Sequence, residues 1–138
     1  MTTNAIFAPV PPPHPQATLD EHNKRRAFHG VPPLVWNASL VTSSQRWANV
    51  LQSEGCQKLH HSKYPGIGEN LYSLFITSTF GRLNNVSCVN AVAPWYDEIA
   101  LYDYGNVQAM WKPGVFETIG HFTAMVRSLA CKARHYHI

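Results

Sequence analysis

The sequence predicts a single α+β domain. Three observations carry this: three stretches of helical periodicity, few runs of strand character, and long irregular connections in which the polar residues gather. One core is expected, because 138 residues divided in two would leave two marginal ones. Hydrophobic residues make up 45% and charged ones 14%, a globular and not a disordered composition. The formal net charge is +3, from 11 Lys and Arg against 8 Asp and Glu, and the basic residues are scattered apart from Lys24-Arg25-Arg26. Nucleic acid is therefore not an expected partner, and the short basic run reads as a solvated helix face.

Residues 1–17 are a proline-rich leader, since APVPPPHP at 8–15 cannot join a helix or a central strand. The domain then occupies 18–138. Thr18 and Glu21 have capping-box spacing, and Gly30 followed by Pro32-Pro33 marks a stop, which predicts a first helix over 18–29. Leu34-Val35-Trp36 reads as extended and leads to Asn37 or Ser39 as the next N-cap. Leu40, Ser44, Trp47, Ala48 and Leu51 then fall on one helical face, and Gly55 closes that second helix. Residues 56–70 lack periodicity and read as a loop, while 71–88 begin apolar and read as a strand or a flap. Val89, Val92, Ala93, Tyr96, Ile99 and Ala100 predict a third helix, which must take Pro94 in its first turn or kink there. Residues 105–120 read as loop, and Phe122 to Val126 as a buried strand.

No apolar run has the length of a membrane span, and the opening MTTNAIFAPVPPPHPQ has no charged region followed by an apolar one, so no secretion signal is expected in the sequence as written. Cys56, Cys88 and Cys131 allow one disulfide in three pairings and do not fix the compartment. The tripeptides Asn37-Ala-Ser and Asn85-Val-Ser are glycosylation sequons and weakly favour secretion.

Histidine is abundant, with eight copies. His14 lies in the leader, His135 and His137 in the tail, and His29 at a helix C-terminus where an imidazolium is electrostatically comfortable. Of the remainder, His61 and His121 have the better context for ligands, in loops beside Ser62 and Gly120. Glu69 stands in the turn Gly68-Glu69-Asn70, and Glu98 follows Trp95-Tyr96 next to the apolar Ile99. Carboxylates so close to apolar surface must be paired, hydrogen-bonded or coordinated. Two imidazoles and two carboxylates supply either a hydrogen-bonded network or ligands for a zinc-like ion; their spacing alone does not bring them together.

Five segments resemble one family in order. His22-Asn23-Lys24-Arg25-Arg26 matches HNxxR, His61-Ser62 an HS pair, and Gly68-Glu69-Asn70-Leu71 GEN[ILV]. Trp95-Tyr96-Asp97-Glu98-Ile99 matches WYxEI, and Gly120-His121-Phe122-Thr123-Ala124-Met125-Val126 matches GHFT[QA]xV. On these motifs the chain resembles the CAP superfamily of cysteine-rich secretory proteins, antigen 5 and pathogenesis-related class 1 proteins. The resemblance implies an α-β-α sandwich with His61, Glu69, Glu98 and His121 lining an open cleft. By the same motifs, His61 and His121 would hold zinc or another divalent metal weakly, with Glu69 and Glu98 positioning them. Asn70 and His22-Asn23 would be buried hydrogen-bonding structure, and His60 would point away.

The pattern departs after Val126, where Arg127 stands in place of an expected Trp and no further strands follow before Ile138. The expectation is a sandwich lacking its last strands, its family match ending near 126, with the Phe122–Val126 strand short of partners. Extracellular relatives pair a cysteine placed like Cys56; here Cys88, Cys131 and a reduced chain stay open. The function implied is a secreted, extracellular binding protein for a sterol, fatty acid or other apolar ligand, held in a groove near 71–80 or at a membrane surface. Binding is favoured over the alternative of a divalent-metal-dependent hydrolase, because no nucleophile is evident and two His hold zinc more loosely than the three ligands of catalytic sites. A defence or immune-modulatory interaction surface is the third expectation. Nothing fixes the oligomeric state.

Overall fold

A computed structural model describes residues 14–74 and 87–128, together with the backbone of 135–136. Its helices are α1 (Pro15–Phe28), α2 (Ala38–Ser53), α3 (Val89–Asp97), α4 (Val107–Met110) and α5 (Phe116–Val126), with a 3-10 turn at Glu98–Leu101 continuing α3. Two short strands, β1 (Ile67–Gly68) and β2 (His135–Tyr136), pair in parallel, Ile67 against His135 and Gly68 against Tyr136. No helix among the described residues is long and apolar enough to cross a membrane.

Helix α1 begins earlier than the capping-box spacing predicts. Pro15 takes its first position, where a missing N–H costs nothing, and Thr18 is already inside the helix, its hydroxyl donating to the His14 carbonyl at 3.1 Å. Its end is as expected. Gly30 (φ +62) turns left-handed, so that Gly30 N–H reaches Ala27 O and Val31 N–H reaches Arg26 O. The same closure ends α2, where Gly55 has φ +88 and Cys56 N–H donates to Leu51 O at 2.9 Å. Asn37 is the N-cap of α2, its Oδ1 accepting from Ser39 N–H at 3.0 Å and from the Ser39 hydroxyl at 2.7 Å. The predicted buried face of α2 is only partly realised: Leu51 is buried, whereas Ser44 and Ala48 are exposed.

The core lies where α1, α3, the 3-10 turn and α5 pack together. Its apolar members include Val92 from α3 and Ile119, Phe122 and Met125 from α5. The contribution of α1 is polar. Thr18, His22 and Arg26, spaced by four, are its buried residues. Arg26 is 2% exposed; its Nη1 donates to the carbonyls of Met125 and Arg127 and its Nε to Pro32 O at 2.9 Å. The guanidinium thus occupies the carbonyl end of α5, where a cation is favoured. The expected solvated face at 24–26 is corrected accordingly. Only Lys24 is exposed, and Arg25 lies over the Tyr96 ring, 4.5 Å from its centroid, while pairing with Glu21 at 3.0 Å.

The larger correction concerns 105–126. The expected loop contains α4, and the expected strand at Phe122–Val126 is the second half of a helix. Ile119, Phe122 and Met125 recur every third residue and are all buried, a helical interval that a five-residue apolar window conceals. The segment needs no strand partners, because its backbone bonds are made within α5. Pro94 lies past the first turn of α3 and removes one donor there; the helix tightens into the 3-10 turn four residues later. Cys56 and Cys88 are both free, so that pairing is not made. Cys131, the sequon at Asn85 and most of the expected 71–88 strand or flap lie outside the described residues.

Candidate functional site

The four residues singled out by sequence form two His–Glu pairs. On the loop before β1, His61 Nδ1–H donates to Glu69 Oε2 at 3.1 Å, and the next backbone N–H, that of Ser62, donates to the same oxygen at 2.9 Å. On α5, His121 Nδ1–H donates to Glu98 Oε1 at 2.6 Å, and the next backbone N–H, that of Phe122, donates to Glu98 Oε2 at 3.0 Å. One device is therefore built twice: a carboxylate binds an imidazole and the amide following it. The pairs are tied together, for Asn70, adjacent to Glu69, donates its Nδ2–H to the His121 carbonyl at 3.2 Å.

Their exposure differs. The side chains of His61 and Glu69 are 61% and 15% exposed, those of His121 and Glu98 33% and 18%. The carboxylates are thus the inner members and the imidazoles the outer ones. Burial alone would raise the Glu69 pKa; hydrogen bonds from the Ser62 hydroxyl and N–H and from His61 outweigh it and hold the carboxyl below its ordinary value. An ionised carboxylate at Nδ1 fixes the proton there and leaves Nε2 with its lone pair, as in imidazoles that ligate metals.

Of the residues expected to be buried hydrogen-bonding structure, His22 is buried, whereas Asn23 and Asn70 are half-buried. Asn23 makes a reciprocal pair with Leu34, Nδ2 to O at 3.0 Å and N–H to Oδ1 at 2.7 Å, which fastens the extended segment 31–36 to α1. His22 is fully buried and donates Nδ1–H to Thr18 O at 2.8 Å. His60 turns to Glu54 at 2.8 Å and stands edge-on to Trp47, apart from the two pairs. His29 is not the solvated imidazolium its helix-end position suggests: its Nε2 bonds the Tyr96 hydroxyl at 2.9 Å, and burial lowers its pKa.

Sequence reasoning missed Trp95, whose indole lies nearly parallel to the His121 ring, 15° between planes and 6.0 Å between centroids. The available signal was its place one turn before Glu98. It also missed a cavity of about 390 Å³ on the other side of α5, lined by His29, Tyr102, Tyr104, Trp111, Phe116 and Phe122 among others. The aromatic density of 102–122 was the clue there.

Among the described residues no three His, Cys, Asp or Glu side chains gather so as to hold a metal ion. In donor chemistry alone, two imidazoles each backed by a carboxylate suit such an ion, and they offer two protein ligands in place of three or four.

Comparison with known proteins bears on the same residues. The family described as CAP, the cysteine-rich secretory protein family, matches residues 19–132. The chain belongs to the CAP family. The match continues beyond residue 126, where the motifs alone placed its end. A Candida albicans protein named Repressed by EFG1 protein 1 is 39% identical over 108 residues, 78% of this chain and 34% of its own length. Secreted protein RBT4 of the same yeast is 34% identical over 110 residues, 70% of this chain and 26% of its own length. The basic form of pathogenesis-related protein 1 from Nicotiana tabacum is 34% identical over 113 residues, 81% of this chain and 54% of its own length. The CAP chain therefore spans about a third or less of these fungal relatives and about half of the tobacco one. No solved structure gives a significant match.

Proposed function

We propose that this chain is an extracellular CAP-domain binding protein of the α-β-α sandwich type, with a cleft that holds a divalent metal weakly through His61 and His121. The observation that carries this reading is the doubled carboxylate grip, which engages both Nδ1 atoms and leaves both Nε2 atoms outside it. A zinc ion would supply Lewis acidity at such a pair; Glu69 and Glu98 would hold the imidazoles in orientation. The reading favours binding over hydrolysis, since two imidazole ligands hold zinc more loosely than the sites that activate water. An extracellular place is supported by the name of the secreted Candida relative and by that of the family.

The second part of the reading is an apolar ligand, a sterol or fatty acid. The groove expected near 71–80 falls mostly outside the described residues. Support comes instead from the aromatic cavity of about 390 Å³ beside α5, within the size range of small-molecule sites. Calorimetry of the folded chain with zinc, and separately with a sterol, tests both parts. His61→Ala with His121→Ala should abolish the zinc signal and leave the sterol signal. Persistence of the zinc signal would remove the metal assignment, and absence of a sterol signal the apolar one.

A further inference from the structure

We propose that Trp95 is a positioning residue for His121, setting the direction in which its free Nε2 points. The inference rests on the reading of that nitrogen as the working atom of the site. Glu98 fixes one ring atom of His121, and Asn70 fixes its backbone carbonyl. These restraints choose the tautomer and hold the hinge. They hold the ring at a single atom, and one hydrogen bond resists only weakly the bending that small rotations about Cα–Cβ and Cβ–Cγ impose on it. A flat neighbour parallel to the ring removes that freedom. Trp95 is that neighbour, 6.0 Å away and 15° from parallel, an offset-stacked geometry that aromatic pairs favour.

The indole is itself pinned. Its Nε1–H donates to the Leu71 carbonyl at 3.1 Å, which stops it rotating in its own plane. Behind it, on α1, the buried ring of His22 packs with centroids 6.2 Å apart and planes tilted by 54°. Trp95 on α3 therefore joins three parts of the fold, α1, the segment after β1 and α5, at the ring whose orientation the site needs. It is half-buried, so its replacement need not collapse the core. The stack also gives this pair something its twin lacks the burial to need: His61 is nearly twice as exposed as His121.

Ring-proton NMR of the metal-free chain tests the inference without relying on metal. The indole ring current should displace the His121 Hε1 and Hδ2 resonances from free-imidazole positions in the unaltered protein. Trp95→Leu should return them towards free-imidazole positions and broaden them, Trp95→Phe should give intermediate shifts, and the His61 resonances should stay in place in both. Unchanged His121 shifts in Trp95→Leu would overturn the proposal, as would equal displacement of the His61 and His121 signals, which marks general loosening. Zinc calorimetry on the same proteins gives the second readout: affinity should fall about ten-fold in Trp95→Leu, in the range of lost second-sphere support, and less in Trp95→Phe. Equal affinity in the unaltered protein and Trp95→Leu would also overturn it. If the unaltered protein takes no zinc, the metal reading fails while the metal-free shifts still decide whether Trp95 orients the ring.

Discussion

Glu98 divides its two oxygens between the ring and the backbone of one segment, Oε1 on His121 Nδ1–H at 2.6 Å and Oε2 on Phe122 N–H at 3.0 Å. Glu69 serves the other pair differently, receiving His61 Nδ1–H and Ser62 N–H on a single oxygen. The distinction predicts unequal responses to the same substitution. A glutamine retains one accepting oxygen, so Glu69→Gln can keep both bonds, whereas Glu98→Gln must put an amide donor opposite either the imidazole or the Phe122 N–H. Zinc affinity should fall by roughly 10–100-fold in Glu98→Gln and distinctly less in Glu69→Gln. Calorimetry that finds the reverse order would contradict the assignment of the two grips.

Arg26 should be the costliest polar side chain to lose. Its guanidinium meets the carbonyls of Pro32, Met125 and Arg127 and is almost completely enclosed. Arg26→Met keeps much of the length and leaves these acceptors unpaired, each buried one costing roughly 1–3 kcal/mol. Urea unfolding should show a loss of about 2–4 kcal/mol, and Arg26→Lys should recover little of it, since an ammonium cannot span the fork geometry of three acceptors. A loss under about 1 kcal/mol would mean that water replaces the guanidinium without strain.

These two residues also mark where the sequence was legible. The ends of α1 and α2 were readable because a left-handed glycine and an asparagine cap are local chemistry, fixed within a few residues. The buried face of α1 was not, because Thr18, His22 and Arg26 are polar and hydrophobic periodicity is blind to a polar stripe. Arg26 looked like solvent surface until the carbonyl end of α5 was in place beside it. The misreading of Phe122–Val126 has the same origin: a five-residue, mostly apolar stretch fits a strand or a helix equally, and only Ile119, outside it, extends the interval of three. At the site, residue types and motif order singled out His61, Glu69, Glu98 and His121 but not which carboxylate holds which imidazole, and the stacking of Trp95 on His121 is a contact between helices that no local pattern encodes.

The cap of α2 offers a local test. Asn37 Oδ1 is the side-chain acceptor for the first turn, bonding both the N–H and the hydroxyl of Ser39. Asn37→Ala should cost about 1 kcal/mol, and Asn37→Asp should cost little, since a carboxylate accepts the same bonds and adds charge favourable to a helix N-terminus. Thermal melts followed by circular dichroism would measure both. Because α2 buries only Leu51 completely, fraying of its first turn should appear as faster amide exchange near Leu40 and Val41 before global unfolding.

The deepest titratable group predicts how stability depends on pH. His22 is fully buried, its Nδ1 proton is given to Thr18 O, and its Nε2 has no partner among the described residues. Desolvation is the largest influence on it and lowers its pKa; the Thr18 carbonyl opposes this, Arg26 and Arg25 reinforce it, and Glu21 opposes it again. The folded protein therefore takes up the proton later than the unfolded chain, whose histidine titrates near 6.5. Its contribution to stability is complete above that value and is lost as the pH falls from it through the folded-state pKa. His29 carries the same sign, from burial. Glu69, held low in the folded state, adds a separate loss only as the pH drops below about 4.5. The melting temperature should thus decline in two stages on acidification. His22→Gln retains a donor for Thr18 O and has no imidazole to charge, so it should melt lower at neutral pH and show a flatter first stage. A first stage equally steep in His22→Gln would place the acid sensitivity on His29 instead, to be checked with His29→Gln.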